Sequence, residues 1–260
     1  MSLIKKYSGE ICYLELNNPE KRNALDKILI TELIRFFEES TESSKFTTLV
    51  ISGNGGIFSS GADLAWMKEG MNQTEEQNLE DARLFNKLYS TMYSYPKPVI
   101  VRVDKGAYGG ALGLMACADI VCTTPDAEFA FSEVRLGLIP ATVAPCVVRK
   151  IGISAARQLF LTARRFSGSE ALSFGLVNFL FSEEQLAVKT RELAAEVAKN
   201  SPQALKETKL LLNRLGSYVV PIGEDLDEYC ARLIAAARTS TDGREGLSAF
   251  FEKRKPVWND

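Results

Sequence analysis

Three short segments carry the groups with which this chain could do chemistry. Ser60-Gly-Ala-Asp63 follows an apolar strand, Gly106-Ala-Tyr-Gly-Gly110 precedes a helix of small residues, and Phe131 to Pro140 contains Glu133. Glycine ahead of a helix leaves backbone N–H groups unobstructed, and the helix dipole favours negative charge there. Two N–H groups that converge on one oxygen form an oxyanion hole, worth about 3 kcal/mol in a transition state. The pair Gly109-Gly110 equally fits close packing of a helix on a sheet, so both interpretations stay open on this pattern alone.

Glu133 is the candidate for proton transfer. Its neighbours are largely apolar, namely Ala130, Phe131, Val134, Leu136 and Leu138. Because desolvation favours the neutral carboxyl group, such surroundings suit a general acid–base, although a capping or salt-bridged glutamate fits them too. The chain has no histidine, which excludes Ser-His-Asp triads, Cys-His dyads and histidine-based metal sites. Proton transfer must therefore come from carboxylates, lysine, tyrosine or cysteine.

Composition narrows the class of protein further. The formal net charge is −2, from 31 basic and 33 acidic residues, so no nucleic-acid partner is expected. The glycine-rich turns fit neither GxGxxG nor GxxxxGK[ST], which argues against a nucleotide cofactor, and no metal site is predicted. The five cysteines form no CxxC pair, as in a reducing compartment. The N-terminus has no apolar signal core and no run is long enough to span a membrane, so we expect a cytoplasmic protein with no membrane contact.

Apolar periodicity places these segments on alternating strands and helices. Strands are predicted at 11–16, 47–52, 98–103 and 119–123, and helices at 25–39, 75–93 and 111–118. Beyond Pro140 the pattern is helical, near 153–163, 169–174, 183–199, 202–214, 223–238 and 243–252. This order predicts an α/β fold with a largely parallel sheet. We expect one domain overall, with a core at 1–195 that holds the site and a helical C-terminal region at 196–260.

In five motifs the chain resembles the crotonase superfamily of enoyl-CoA hydratases and isomerases, over nearly its full length. Their order and spacing are those of the family. The motifs are Asn18 to Leu25 (NPEKRNAL), Phe58 to Leu64 (FSSGADL), Gly106 to Asp119, Ser132 to Pro140 (SEVRLGLIP) and Glu245 to Pro256 (EGLSAFFEKRKP).

The resemblance implies a crotonase-like spiral of ββα units whose C-terminal helices form a homotrimer, or a hexamer as a dimer of trimers. It implies an acyl-CoA thioester substrate and no separate cofactor, because coenzyme A is part of the substrate. By position in the motifs, Glu133 is the catalytic side chain, and the backbone N–H groups of Ala62 and Gly110 form the oxyanion hole. The predicted contacts of the substrate and its CoA part are Lys21, Arg22, Ala62, Asp63, Leu64, Ala65, Trp66, Gly109, Gly110, Arg135 and Lys253.

One position departs from the family pattern. Many family hydratases carry a second catalytic glutamate on the helix after the glycine turn, where this chain has Gly113. Members with a single glutamate at the position of Glu133 include Δ3,Δ2-enoyl-CoA isomerases. The segments 61–67 and 132–141 are nevertheless similar to those of bacterial methylglutaconyl-CoA and carboxygeranoyl-CoA hydratase-like proteins. Three interpretations therefore stay open: hydration of a 2-enoyl-CoA, isomerisation of a 3-enoyl-CoA, and a non-catalytic CoA- or RNA-binding scaffold.

Substrate specificity rests on two further expectations. If the segment at Glu133 is extended, Arg135 lies on the same face and pairs with a distal carboxylate, as in 3-methylglutaconyl-CoA, unless it makes a structural ion pair. The acyl pocket is expected to draw on bulky side chains that equally fit an ordinary core. These are Trp66, Met67, Met71, Phe85 and Tyr89.

Overall fold

The computed structural model of the chain describes residues 2–70 and 72–216, and positions 241, 245, 249 and 252–257 near the C-terminus. Its strands are Leu3–Ser8 (β1), Ile11–Leu16 (β2), Thr48–Gly53 (β3), Ile57–Ser59 (β4), Val99–Val103 (β5), Gly106–Tyr108 (β6), Ile120–Thr123 (β7), Glu128–Ala130 (β8), Phe166–Ser167 (β9) and Phe179–Leu180 (β10). Its helices are Lys27–Ser40 (α1), Leu64–Gly70 (α2), Glu75–Tyr93 (α3), Gly110–Cys117 (α4), Ala144–Thr162 (α5), Gly168–Ser173 (α6), Glu183–Ala198 (α7) and Pro202–Leu215 (α8), with 3-10 helices at Pro19–Lys21 and Glu133–Leu136.

Two sheets organise these elements. The larger has the order β1-β2-β3-β5-β7-β10, and the smaller has the order β4-β6-β8-β9. Neighbouring strands are parallel except in the β1–β2 and β8–β9 pairs. Parallel neighbours need crossover connections, which the intervening helices supply. The predicted α/β class with a largely parallel main sheet is therefore confirmed.

Strands β3 and β5 are buried because both faces of the larger sheet are covered. Helix α7 packs on one face, where Leu186 and Ala194 join Val50 and Ile100 in one apolar cluster. The main core lies on the other face and includes α1, α3 and α4. Continuous apolar runs, rather than alternating ones, are typical of strands buried in this way.

Helix α4 is short, made of small residues and buried from Ala111 to Cys117. It follows β6 directly, so its N-terminus lies at the end of a strand of the smaller sheet. Helix α3 packs beside it and begins with a capping box in which Thr74 and Gln77 satisfy each other's backbone N–H groups. The glycine turn is thus held between a sheet and a fixed helix.

Several local predictions were wrong. Gly106–Tyr108, expected as part of a turn, forms β6, and the stretch after Pro140 is interrupted by β9 and β10. The strands of the smaller sheet have only two or three residues, which is too few for an apolar period to appear. Helix α5 begins at Ala144, which was not predicted, but its part beyond the kink at Gly152 agrees with the helix predicted near 153–163. The helices predicted at 223–238 and 243–252 lie wholly or mostly outside the described residues.

Helix α7 runs through the predicted division between 195 and 196, so that division stays a prediction. Among the described helices, none combines the length and the apolar character needed to cross a membrane.

Candidate active site

The first predicted oxyanion donor lies in a loop that pairs with the end of another loop. Gly61 has a φ of +86° and is followed by Ala62, which forms an isolated parallel bridge with Leu25. Leu25 N donates to Gly61 O at 2.7 Å, and Asp63 N donates to Leu25 O at 3.1 Å. Because successive N–H groups of an extended segment point to opposite sides, the N–H of Ala62 points away from Leu25. It is left free to bind an oxygen.

The second predicted donor lies at the start of α4. Gly109 has φ +48° and ψ −122°, a conformation that side chains oppose, and Gly110 is the first residue of the helix. The first N–H groups of a helix have no acceptor within it. In the part of the chain that the structure describes, neither Gly110 N–H nor Ala62 N–H meets an acceptor.

The two loops are in direct contact. A methyl group on Gly61 would lie 2.6 Å from Tyr108 O and 3.3 Å from Gly110 N. Gly61 therefore has no room for a side chain, and its hydrogen allows the two loops to approach this closely. The tertiary structure brings together two segments almost fifty residues apart, as the resemblance implied.

Glu133 faces this junction from a third segment. Its Oε1 lies 3.5 Å from the place where a methyl group on Gly109 would sit. Its Oε2 is buried and meets no hydrogen-bond partner in the described residues. Burial raises the pKa of the Glu133 carboxyl, and a hydrogen bond from its own backbone N–H offsets part of that rise. A carboxyl group kept partly from water and without a counter-ion is suited to exchange protons.

Lys21, Arg22 and Asp63 surround the Ala62 loop. Asp63 is buried; it accepts from Trp66 N at 3.0 Å and from Lys21 Nζ at 3.1 Å. The backbone N–H of Trp66 and the ion pair with Lys21 lower the pKa of Asp63. Arg22 contributes its carbonyl oxygen, which accepts from Ser60 N at 2.9 Å. Asp63 thus stabilises the start of α2, whereas the two basic side chains lie at the outer rim.

Beyond Ala62, two exposed apolar residues are followed by a row of buried and half-buried aromatic rings. Leu64 is 80% exposed and Ala65 is also exposed, so both offer apolar surface next to the first donor. Trp66 is buried and stacks on Phe85 at 5.4 Å between ring centroids, and Phe85 contacts Tyr89 at 6.1 Å.

This row of rings ends at α4. A methyl group on Gly110 would lie 3.3 Å from Phe85 Cε1 and 3.2 Å from the Tyr89 hydroxyl oxygen. Three of the candidate acyl-pocket residues therefore lie together beside the second donor. Met67 is half-buried, whereas Met71 lies outside the described residues.

The remaining two predicted binding residues are Arg135 and Lys253. Glu133 and Arg135 lie in a 3-10 helix, not in an extended strand, so residues two apart point to different sides. The expectation that they share one face was wrong. Arg135 is exposed, and Lys253 is exposed with a φ of +54°. A contact of either residue with substrate stays a prediction.

Sequence reasoning missed the part played by Tyr89 and Asn23. A methyl group on Gly113 would lie 2.6 Å from Cε1 and Cζ of Tyr89, so the tyrosine ring fills the space that any side chain at position 113 would need. Asn23 is fully buried and fixes the loop that pairs with Ala62, through bonds to Asn54 O and Ile57 O and from Asn18 N. The available sign for Asn23 was an uncharged polar residue directly after the charged run 20–22 of the first motif, whereas Tyr89 gave no comparable sign.

Comparison with known proteins gives the family and the fold of the chain. The sequence model of the family described as "Enoyl-CoA hydratase/isomerase" matches residues 6–260. A putative enoyl-CoA hydratase of Thermus thermophilus is 33% identical over 98% of this chain and 99% of its own length, and the 2,3-dehydroadipyl-CoA hydratase of Escherichia coli is 30% identical over 98% and 97%. The crystal structure of an enoyl-CoA hydratase from Shewanella pealeana superposes with a TM-score of 0.94 at 38% identity, covering 99% of this chain and 96% of that one. The fold is therefore the crotonase fold, and the chain belongs to the enoyl-CoA hydratase/isomerase family.

Proposed function

We propose that the chain adds water to the double bond of a 2-enoyl-CoA thioester. In this proposal Glu133 moves the protons, and the N–H groups of Ala62 and Gly110 hold the thioester oxygen. The observation that carries it is the position of Glu133 Oε1 against Gly109, immediately before the free N–H of Gly110. In this proposal the thioester oxygen accepts from Gly110 N–H, and the C2 and C3 atoms lie within reach of the Glu133 carboxylate.

The reaction then takes two steps. Glu133 accepts a proton from water as the water oxygen bonds to C3, and the electron pair of the C2–C3 double bond moves through C2 to the thioester oxygen. The two N–H groups stabilise the resulting enolate oxygen. Glu133 next returns the proton to C2 as the carbonyl re-forms, so that one water molecule has been added and the carboxylate is restored.

The environment of Glu133 supports both roles. A base that also returns the proton works best when its pKa lies nearer neutrality than that of a solvated carboxylate. Burial raises the pKa of Glu133, and no cation within the described residues offsets that rise. A direct ion pair with Arg135 would have lowered the pKa, and the two residues form none.

One observation favours isomerisation of a 3-enoyl-CoA as the second candidate. Tyr89 leaves no room for a side chain at position 113, so a second carboxylate cannot act from there. A single carboxylate suffices to move one proton between C4 and C2. We place hydration first because the relatives from Thermus thermophilus, Escherichia coli and Clostridium acetobutylicum are named as hydratases, and because the same carboxylate can take and return the proton of water.

Isotopically labelled water distinguishes the two reactions. A 2-enoyl-CoA and a 3-enoyl-CoA are incubated separately with the protein in ¹⁸O-labelled water. Hydration gives a labelled 3-hydroxyacyl-CoA from the 2-enoyl substrate. A shifted double bond without oxygen incorporation would replace hydration by isomerisation, and no conversion of either substrate would refute both.

Glu133→Gln tests the assigned side chain. Glutamine keeps the size of the side chain but carries no titrating proton, so kcat should fall at least about 100-fold. Binding of a non-reactive acyl-CoA, measured by calorimetry, should change little. Glu207→Gln, at an exposed position of α8, is the control and should keep the wild-type kcat. A Glu133→Gln protein with half its activity would exclude Glu133 as the proton carrier.

For the acyl group we propose a second, distal carboxylate, as in 3-methylglutaconyl-CoA. The Escherichia coli relative is named for 2,3-dehydroadipyl-CoA, which ends in a carboxylate. Arg135 is exposed two residues after Glu133, on another side of the same 3-10 helix, and guanidinium pairs with carboxylate in bidentate geometry. Arg135→Met should raise KM for the dicarboxylic substrate about tenfold and leave crotonyl-CoA nearly unchanged. Equal effects on both substrates would contradict recognition of a distal carboxylate.

We further propose a homotrimer, or a hexamer made of two trimers. The segment after Glu133 exposes a run of apolar side chains, with Leu136 at 61% and Ile139 at 76% exposure in the single chain. An apolar run of this kind next to a site is typical of surfaces covered by another subunit. Light scattering of the purified protein should give three or six times the chain mass of 28.7 kDa, and a monomer would refute the proposal.

A further inference from the structure

We propose that Tyr89 is a positioning residue that fixes the Gly110 side of the oxyanion hole; this inference rests on the proposed function. Tyr89 lies on α3, and its hydroxyl donates to the carbonyl oxygen of Gly110 at 2.8 Å. Gly110 supplies the second predicted donor. The tyrosine therefore bonds to the same residue whose N–H is expected to bind the thioester oxygen.

The tyrosine ring also contacts α4 one turn further along. Methyl groups on Gly110 and Gly113 would lie 3.2 Å and 3.0 Å from the Tyr89 hydroxyl oxygen, and the latter would also lie 2.6 Å from two ring carbons. Residues three apart share one face of a helix. Tyr89 thus covers the face of the first turn of α4 that carries Gly110 and Gly113, and its ring fits there because position 113 is glycine.

That first turn needs an external anchor. Among the described residues, the N–H of Gly110 meets no acceptor, that of Leu112 donates only to Gly109 O at 3.0 Å, and Gly109 itself has the conformational freedom of glycine. Tyr89 binds the turn on one side, while Glu133 approaches Gly109 on another. The direction of the Gly110 N–H relative to Glu133 is consequently set by a side chain that need not touch the substrate.

The hydroxyl acts as a hydrogen-bond donor and not as an acid. Burial, with a smaller contribution from the charge of Glu133, raises the pKa of Tyr89 well above its ordinary value. The group therefore stays protonated at every pH at which the enzyme is expected to work. Removing it should change the geometry of the hole without removing a titrating group from the pH profile.

Tyr89→Phe tests the inference, with Tyr95→Phe as the matched control. Tyr95 is a second buried tyrosine of the same core, and its hydroxyl bonds to Ser40 Oγ at 2.8 Å, away from the site. Each variant loses the hydrogen bonding of one tyrosine hydroxyl. We expect kcat with a 2-enoyl-CoA to fall about tenfold in Tyr89→Phe, with KM changed less than twofold, and kcat to stay at the wild-type value in Tyr95→Phe.

Two further readouts separate positioning from other roles. Amide hydrogen exchange in the free protein should be faster at 110–113 in Tyr89→Phe than in the wild type and unchanged there in Tyr95→Phe. The pH dependence of kcat/KM should keep its shape in both variants.

The inference would be overturned by equal kcat losses in the two variants or by unchanged exchange at 110–113. Loss of the basic limb of the pH profile in Tyr89→Phe would overturn it as well, because Tyr89 would then act as an acid. If wild-type protein converts no enoyl-CoA, the proposed function fails, whereas the exchange measurement still decides the role of Tyr89.

Discussion

Gly61→Ala is the substitution that tests the contact between the two loops of the oxyanion hole. The added methyl group would lie 2.6 Å from Tyr108 O, whereas an ordinary C···O contact is about 3.3 Å. The loops must therefore separate by roughly 0.7 Å, and Gly110 N, 3.3 Å from the same methyl group, moves with its loop. Because a misplacement of about 1 Å at a reacting group can cost about 100-fold, kcat should fall by that order.

Gly61→Ala should also lower the free energy of unfolding, for two reasons that a control variant can separate. A φ of +86° costs alanine about 1–2 kcal/mol, and overpacking adds about 1–3 kcal/mol. Gly9→Ala is the matched control, because Gly9 has a φ of +54° but no atom within 4 Å of the new methyl group. Gly9→Ala should therefore lose about 1–2 kcal/mol of unfolding free energy and keep the wild-type kcat.

The assay follows the loss of the conjugated thioester absorbance of crotonyl-CoA, at saturating and at low substrate concentration. Chemical denaturation followed by circular dichroism gives the free energy of unfolding of each variant. We expect the two glycine variants to differ both in kcat and in stability. A folded Gly61→Ala protein that keeps more than half of the wild-type kcat would show that the spacing of these loops does not set the oxyanion hole.

Three other substitutions have defined outcomes. Asn23→Ala removes three buried hydrogen bonds and should lower the free energy of unfolding by roughly 3 kcal/mol, measured by denaturant titration, whereas Asn200→Ala at an exposed helix end should change it by less than about 0.5 kcal/mol. Because the pKa of Glu133 is raised in the folded protein, the free energy of unfolding of the wild type falls as pH rises above the ordinary carboxyl pKa of 4.5. Glu133→Gln lacks this titrating group, so its free energy of unfolding should increase relative to that of the wild type between acid and neutral pH. A difference that does not change with pH would contradict this. Lys209→Met removes a buried ammonium group that pairs with the half-buried Asp119 at 2.6 Å, and it should cost about 1.5–3 kcal/mol in thermal or denaturant unfolding. An unchanged midpoint would show that the pair contributes nothing.

Much of the fold was predictable because its long elements carry strong periodic patterns. The bounds of α3 agree with the prediction, and β2, β3, β5 and β7 lie within a residue of the predicted strands. These elements are long enough for a period of two or 3.6 residues to repeat. The smaller sheet was missed because its strands end before a pattern can repeat.

The sequence by itself determined the family, the absence of histidine chemistry and the identity of the candidate donors and carboxylate. The five motifs carry this information because glycine, glutamate and loop residues stand at fixed spacings along the chain. The match of the family over residues 6–260 confirms that part of the reasoning. The roles of Glu133, Ala62 and Gly110 stay predictions that the geometry supports.

Only the tertiary structure decided how these groups meet. The contact of the Gly61 loop with Gly110, where a methyl group on Gly61 would lie 3.3 Å from Gly110 N, and the place of Tyr89 against Gly113 join residues from separate elements. The pKa of Glu133 depends on how much water the whole fold removes from its carboxyl group, and Arg135 left the expected face because a 3-10 helix replaced a strand. Distances, burial and side-chain direction depend on packing between segments that are far apart in the sequence. The spacing of residues within one motif therefore cannot determine them.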